Sequence, residues 1–422
     1  MKRYKQYKPT GISWLPEIPA HWDTMRIRGL FKESIEKTVD DSGTLLSLSQ
    51  YTGVSLKSET GKTGMFEAES TTGYKIVHPG QFVMNIMLAW NGSYAVSDLE
   101  GIISPAYCVF DFRIPCVKRY FDYLLRTKIY SGAFKTQSRG IIDSRLRLYP
   151  NKFYSFKAIV PPIEEQEKIV AFLDKKITLI ESCKCQRERE LQTLNELKQA
   201  EIASVVTRGL NPNVPMKDSG IFWQPLIPEN WTVTKLKHVL SKLDRPRQPE
   251  DELLVCSNSG EVKKRGDSKL GLVADSDEIY QGVRRGDLLI HGMDTWHGAI
   301  AVSDYDGMCT PVVHVCDSTQ NKRYIALYLR NMANQKVFKL ISNGVRQNTS
   351  DFRSWGKVGT ILIPIPPIEE QDAIVEYIES KNSKIDKMIE ALTAEIERLI
   401  EYKQRLISDV VTGQLNVQDE TA

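Results

Sequence analysis

The chain has 422 residues, of which 41% are apolar and 26% charged, with a formal charge of +3 and seven cysteines. That length exceeds what one hydrophobic core serves, so two or more domains are expected, and the ordinary composition excludes a disordered polymer. No apolar run reaches the eighteen or so residues of a membrane span, the odd cysteine count argues against a disulfide framework, and the mild charge is small for a chain that would hold nucleic acid unaided.

The start, Met1-Lys-Arg-Tyr-Lys-Gln-Tyr-Lys8, is basic and lacks the apolar stretch of a signal peptide, so a cytoplasmic location without membrane contact is expected. Gly11-Ile-Ser-Trp-Leu-Pro-Glu-Ile-Pro-Ala-His-Trp22 returns 209 positions later as Gly220-Ile-Phe-Trp-Gln-Pro-Leu-Ile-Pro-Glu-Asn-Trp231. Trp90-Asn-Gly-Ser-Tyr-Ala-Val-Ser-Asp98 returns as Trp296-His-Gly-Ala-Ile-Ala-Val-Ser-Asp304, and Pro161-Pro-Ile-Glu-Glu-Gln166 as Pro366-Pro-Ile-Glu-Glu-Gln371. Val205-Val-Thr207 matches Val410-Val-Thr412. A repeat this long is a duplicated domain, not a stacked solenoid unit.

Residues 1–160 read as a mixed α/β domain. Gly80-Gln-Phe-Val-Met-Asn is a glycine-opened apolar run typical of a buried strand, and Arg119–Arg126 reads as a helix. Residues 161–210 form the first long helical segment, opened by two prolines and acidic residues that complement the helix dipole. Its seam is Leu173, Ile177 and Ile180, then Leu191 and Leu194 after a polar middle. Residues 211–365 repeat the α/β pattern, with Gly286-Asp-Leu-Leu-Ile-His as the matching strand and Lys322–Arg330 as the matching helix. Residues 366–416 are the second helical segment, with Ile385, Met388, Leu392, Ile396, Leu399 and Leu406 as an a/d stripe. Residues 417–422 read as a flexible tail.

Neither glycine nor proline interrupts 163–206 or 368–411, so each helix would run about 66 Å at ~1.5 Å per residue, with Lys381-Asn-Ser383 the point for a kink. Two equal amphipathic helices bury their narrow seams most simply against each other. The expected fold is therefore α+β: two mixed α/β domains joined by a long antiparallel two-helix coiled coil, a pseudo-two-fold tandem repeat. Antiparallel helices would also return Asn416 to the start of the first domain, as Asn211 leads into the second.

Taken together, the duplicated Trp-x-Pro-x-Ile-Pro-x-x-Trp, Pro-Pro-Ile-Glu-Glu-Gln and Val-Val-Thr motifs resemble those of the DNA specificity subunit of type I restriction-modification enzymes, along almost the whole chain. The resemblance implies two target recognition domains, each reading one half of a bipartite site in double-stranded DNA. It also implies a coiled coil that docks two methyltransferase subunits and, through them, restriction motor subunits. On that reading the chain is not an enzyme and binds no cofactor, while S-adenosylmethionine and ATP with magnesium belong to the partners.

The residues agree with a non-catalytic role. No Gly-x-Gly-x-x-Gly loop and no Asn-Pro-Pro-aromatic or Asp-Pro-Pro-Tyr run is present, and Gly61-Lys62-Thr63 fails as a Walker loop because its first glycine would fall at Leu56. His291 and His297 lack a third convincing metal ligand. Between the matched pieces the copies diverge in polar, basic loops, where recognition on a shared frame resides. Arginine reads guanine, and asparagine or glutamine reads adenine. The candidates in the first domain are Lys57, Lys62, Asn91, Arg139, Arg145 and Arg147. Those in the second are Lys263, Lys264 and Arg265 as a phosphate clamp or a solvated hairpin, His297 in place of Asn91, and the loop Arg346-Gln347-Asn348. Trp90 and Trp296, at matched positions, read as shared core. The competing reading from another class is a coiled-coil scaffold that does not read DNA; it explains the helices but not the divergent loops.

Overall fold

A strand that is apolar at consecutive positions needs cover on both faces, and the architecture supplies it twice. The computed structural model describes residues 2–60, 70–140, 146–266, 279–342 and 352–418. The chain divides into two compact units, Met1–Glu188 with Ala394–Ala422, and Arg189–Thr393.

The first unit runs β1 (Tyr7–Ile12), β2 (Leu15–Pro19), β3 (Asp23–Arg26), α1 (Ile27–Leu30), β4 (Phe31–Glu33), β5 (Leu46–Ser49), β6 (Gly53–Leu56), β7 (Lys75–Val77) and β8 (Phe82–Asn85). It continues with β9 (Tyr94–Val96), β10 (Gly101–Ile103), β11 (Tyr107–Phe112), α2 (Lys118–Leu125), α3 (Lys128–Gln137), α4 (Pro150–Phe153), β12 (Lys157–Val160) and the long α5 (Ile163–Arg208). Its central sheet has the order β4-β11-β8-β9, flanked by pairs β1-β2, β3-β12, β5-β6 and β7-β10.

The second unit repeats the series: β13 (Met216–Asp218), β14 (Leu226–Pro228), β15 (Thr232–Lys235), α6 (Leu236–Val239), β16 (Ser241–Lys242), β17 (Leu254–Cys256), β18 (Val262–Lys264), β19 (Gln281–Val283) and β20 (Leu288–His291). Then come β21 (Ile300–Val302), β22 (Gly307–Cys309), β23 (Val313–Asp317), α7 (Lys322–Asn334), α8 (Val337–Ile341), α9 (Trp355–Val358), β24 (Leu362–Ile365) and α10 (Ile368–Val411). Its sheet order, β16-β23-β20-β21, and its flanking pairs correspond strand for strand to those of the first unit. The duplication read from four short motifs therefore extends to the complete topology of the described residues.

Each central sheet separates two cores. Phe82, Met84, Cys108 and Phe110 face the helices, whereas Val83, Val109 and Ala95 face Leu46, Leu48, Val77 and Ile103. Likewise Leu288, Ile290 and Cys316 face helices in the second unit, and Leu289, Val315 and Ala301 face Leu254, Val262 and Val283. The residues of Pro-Pro-Ile-Glu-Glu-Gln fix each long helix to its domain. Gln166 is buried, accepts the Val117 N–H at 3.0 Å ahead of α2 and donates to the Pro161 carbonyl at 2.7 Å. Gln371 accepts the Asn321 N–H at 3.0 Å ahead of α7 and donates to the Pro366 carbonyl at 2.9 Å.

Within the first unit α5 and α10 run antiparallel. Ile169, Leu173 and Ile180 share the core with Leu406 and Val410, and Lys403 donates to Glu181 at 2.6 Å while Arg187 donates to Glu395 at 3.0 Å. Within the second unit they are again antiparallel, with Val205 and Val206 against Ile374, Val375 and Ile378, and Lys198 paired with Asp386. The polar middle of α5 is thus included in its seam, with Arg187 in a seam position. Ile177, Leu191, Leu194, Ile385, Leu392, Ile396 and Leu399 are half-buried as a seam requires. Met388 is not: it is 55% exposed. Its neighbour Ile389 is half-buried instead, because spacings of four then three from Ile385 to Leu392 hold the stripe on one side of the helix. α10 also passes unbroken through Lys381-Asn-Ser383.

The chain's end returns as expected: Lys2 bridges Asn416, whose N–H donates to the Lys2 carbonyl at 2.8 Å, and the Tyr7 hydroxyl donates to the Gly413 carbonyl at 2.8 Å. Val417, assigned by its sequence position to the flexible tail, is buried against the first core, and Gln418 donates to Glu165.

Candidate nucleic-acid interface

Matched strands β8 and β20 each end in a 3-10 turn, Ala89–Asn91 and Thr295–His297, closed by a glycine at positive φ, Gly92 (95°) and Gly298 (78°). The residue before each turn holds it. Asn85 accepts the Met87 N–H at 3.0 Å through its side-chain oxygen, and His291 Nδ1 accepts the Asp294 N–H at 3.1 Å. His291 therefore has a structural task. Burial pushes its imidazole below the ordinary 6.5, against the opposing pull of Asp294, and an accepting Nδ1 is a neutral one.

Trp90 and Trp296 lie half-buried in these turns, each with a lysine over its face: Lys135 at 5.3 Å and Lys339 at 5.7 Å. Half-burial and the same lysine contact in both copies assign them to the frame, although Trp90 Nε1 donates to the Met87 carbonyl at 3.1 Å and Trp296 Nε1 has no partner among the described residues. The residue after each tryptophan differs in presentation. Asn91 is engaged inward, its Oδ1 accepting the Ser93 hydroxyl at 3.0 Å, whereas His297 is exposed, its Nδ1 3.9 Å from Asp294.

A hairpin tip sits against each turn. A Cβ on Gly92 would stand 3.9 Å from the Gln50 Cβ at the β5–β6 tip, and one on Gly298 3.7 Å from the Asn258 carbonyl at the β17–β18 tip. The first tip carries the exposed Tyr51, the second Asn258 and Ser259. Sequence reading passed over Tyr51 and placed Asn258 and Ser259 in a divergent loop without singling them out, although the shared glycine of Gln50-Tyr-Thr-Gly53 and Ser257-Asn-Ser-Gly260 marks both turns.

The same end of the first unit holds a basic pair. Arg139 and Arg147 face each other across an antiparallel bridge with reciprocal backbone hydrogen bonds of 3.0 and 2.9 Å, and both are exposed. The next N–H, of Leu148, donates to the Ile86 carbonyl just ahead of the Ala89–Asn91 turn. Like charges directly opposite destabilise a strand pair, and an anion against both guanidiniums relieves that cost. Beside them Arg139, Tyr149, Pro150, Asn151 and Lys152 line a shallow cavity. The last four escaped sequence reading.

Other candidates are placed less favourably. Lys57 and Arg265 occupy equivalent positions just past their hairpins, their N–H groups donating to Leu45 and Leu253 carbonyls at 2.9 Å, and both side chains are half-buried. They lie at the opposite end of β6 and β18 from the tips. Lys263 and Lys264 are exposed but already paired, with Glu261 at 2.8 Å and with Glu252, and Lys264 lies over the Tyr305 ring. Lys62, Arg145, Arg346, Gln347 and Asn348 lie outside the described residues. Exposed Arg353, unnoticed in the sequence, donates toward the Met293 sulfur beside the second turn.

No family model matches the chain. It is similar to the type I restriction enzyme EcoBI specificity subunit of Escherichia coli, 24% identical over 283 residues that cover 61% of this chain and 58% of that protein. It is also similar to the MjaVIII specificity subunit of Methanocaldococcus jannaschii, 23% identical over 360 residues that cover 79% of this chain and 80% of that one. The alignment with the Escherichia coli protein thus spans less than two thirds of its length. Among solved structures, a chain from work on complex assembly and conformational transition of the type I R-M system aligns with a TM-score of 0.68 at 15% identity, covering 94% of this chain and 99% of its own. The HsdS subunit from Thermoanaerobacter tengcongensis aligns with a TM-score of 0.50 at 16% identity, covering 94% and 98%. At these identities the likeness establishes the fold.

Proposed function

We infer that this chain is the DNA specificity subunit of a type I restriction-modification complex, a reader of two half-sites that catalyses nothing itself. The carrying observation is one topology built twice, with different side chains presented at matched positions: exposed Tyr51 against exposed Asn258, and an inward Asn91 against an exposed His297. A coiled-coil scaffold has no use for such a difference. Residues 1–160 would read one half-site and residues 211–365 the other. Arg139, Arg147 and Lys152 would hold phosphates, while hairpin tips and turns reach base edges. Lys57, Lys263, Lys264 and Arg265 would add to the electrostatic attraction, Lys263 and Lys264 once released from their carboxylates.

The long helices 161–210 and 366–416 would dock two methyltransferase subunits, which bind S-adenosylmethionine and recruit ATP- and magnesium-dependent restriction subunits. The modest charge of +3 fits a reader whose partners contribute much of the phosphate neutralisation. Selection from random duplexes by the chain assembled with its methyltransferase tests this reading. Two fixed half-sites separated by an unread spacer are expected, and recovery of sequences without a common motif would leave the scaffold reading.

A further inference from the structure

Helices α2 and α7 are one element in two copies, Lys118-Arg-Tyr-Phe-Asp-Tyr-Leu-Leu-Arg126 against Lys322-Arg-Tyr-Ile-Ala-Leu-Tyr-Leu-Arg330. Their final arginines do one job. Arg126 donates to the Gln50 and Tyr51 carbonyls at 3.0 and 3.3 Å, and Arg330 donates to the Ser259 carbonyl, so each pins a hairpin tip. Gly260 is required for this: its φ is +79°, and a Cβ would fall 1.8 Å from the Arg330 guanidinium.

The two copies differ a single turn upstream. Asp122 is buried, 3.6 Å from Arg126, and accepts the Val96 N–H at 2.9 Å. Val96 lies on the edge strand of its sheet and pairs with Phe82 in the non-hydrogen-bonded manner, which turns its N–H off the edge. In the second copy Val302 faces Leu288 in the same way, but Ala326 replaces Asp122. Among the described residues no acceptor meets the Val302 N–H, and no carboxylate pairs with Arg330.

A cavity of about 500 Å³ opens at this place, bounded by Val302, Ala326 and Arg330. The other charges on its wall are already matched: Glu261 with Lys263 at 2.8 Å, and Arg323 with Asp304 at 3.2 Å and Glu379 at 3.0 Å. Burial holds the Arg330 guanidinium below its ordinary value, and the charge of Glu261 opposes this less strongly.

We propose that this cavity binds a carboxylate brought from outside the second unit, held by the Arg330 guanidinium and the Val302 N–H in the place that Asp122 occupies in the first copy. The source is either a free small carboxylate or an acidic side chain of a bound protein. The proposal does not depend on DNA reading.

Acetate titrated into the full chain against chloride at constant ionic strength, with arginine Nε–H resonances followed by NMR, tests it. One resonance, assigned by R330Q, is expected to shift saturably. A326D, which supplies the carboxylate internally, is expected to weaken acetate binding roughly tenfold or more, the worth of a charged hydrogen bond. The converse variant D122A is expected to gain an acetate response at Arg126 and to recover some of its lost thermal stability in acetate. Absence of a saturable shift, a shift unchanged by A326D, or equal binding of inorganic phosphate would overturn the proposal. Assembly with the methyltransferase separates the sources. Weakening of assembly by A326D identifies a partner side chain, and unchanged assembly with acetate still bound identifies a free carboxylate.

Discussion

Arg139 and Arg147 stand opposite each other across a backbone bridge, and both are exposed. Two exposed arginines so placed suit phosphates, and phosphate contacts carry no sequence information. R147Q in the assembled complex is therefore expected to weaken cognate and scrambled duplexes alike and to lower the salt slope by about 1. A loss confined to the cognate duplex would make Arg147 a base reader. His297 is expected to behave oppositely, its alanine variant losing ~1–3 kcal/mol of discrimination in one half-site only. Sequence reading found these residues by type and by divergence between copies. It could not see that Asn91 is turned inward or that Lys263 and Lys264 already have carboxylates, because both facts depend on residues brought in by β17, β18 and the turns.

Two further histidines make the second unit sensitive to acid. Burial lowers His291 and His314 from 6.5, and His314 is additionally disfavoured as a cation by Lys242 and His291 while its Nε2 meets the Phe352 carbonyl at 2.8 Å. The unfolded chain then binds more protons than the native one below pH 6.5, so their contribution is full above that value and lost as pH falls. Hydrogen exchange corrected for intrinsic rates is expected to show β20 and β23 losing protection between pH 7.5 and pH 5.5, less so in H314N. Equal protection at both pH values would contradict this.

Among the elements, the long helices were the most legible, since an uninterrupted heptad pattern leaves few other structures open. The error at Met388 has a plain cause. A methionine and an isoleucine in adjacent positions both satisfy apolarity, and only the partner helix decides which is covered. M388A is expected to change thermal stability by less than about 0.5 kcal/mol, whereas L406A, at 2% exposure, is expected to cost roughly 2–5 kcal/mol. Comparable losses would put Met388 back in the seam. The short strands were legible where a glycine opened an apolar run, as at β8 and β20, and at the Ala-Val-Ser-Asp repeats that follow, which hold the ends of β9 and β21. Pairs such as β7–β10 and β19–β22, three residues each, carry too little pattern and are defined by their partners.

For the molecule as a whole, the tandem repeat carried the reading from sequence to fold, because each half had to build the same unit. Its consequence for the ends is visible in the first unit, where Asn416 and Lys2 bridge. Joining the termini by a short linker and reopening the chain between Asn211 and Asn213 should keep the fold and the assembly with the methyltransferase. Folded permutants unable to assemble would contradict it. What the sequence left open is which loops come together: the hairpin tips carrying Tyr51 and Asn258 meet the turns at Gly92 and Gly298 only in the fold.

As a specificity subunit, this chain would choose the bases its complex modifies. Genome-wide mapping of DNA methylation in cells carrying the cognate methyltransferase, with and without this chain, tests it most directly. A bipartite methylated motif that requires the chain, and loses one half when residues 211–365 are exchanged for those of a relative, is the predicted result. An identical methylation pattern in both strains, with the subunits expressed and active, would contradict it.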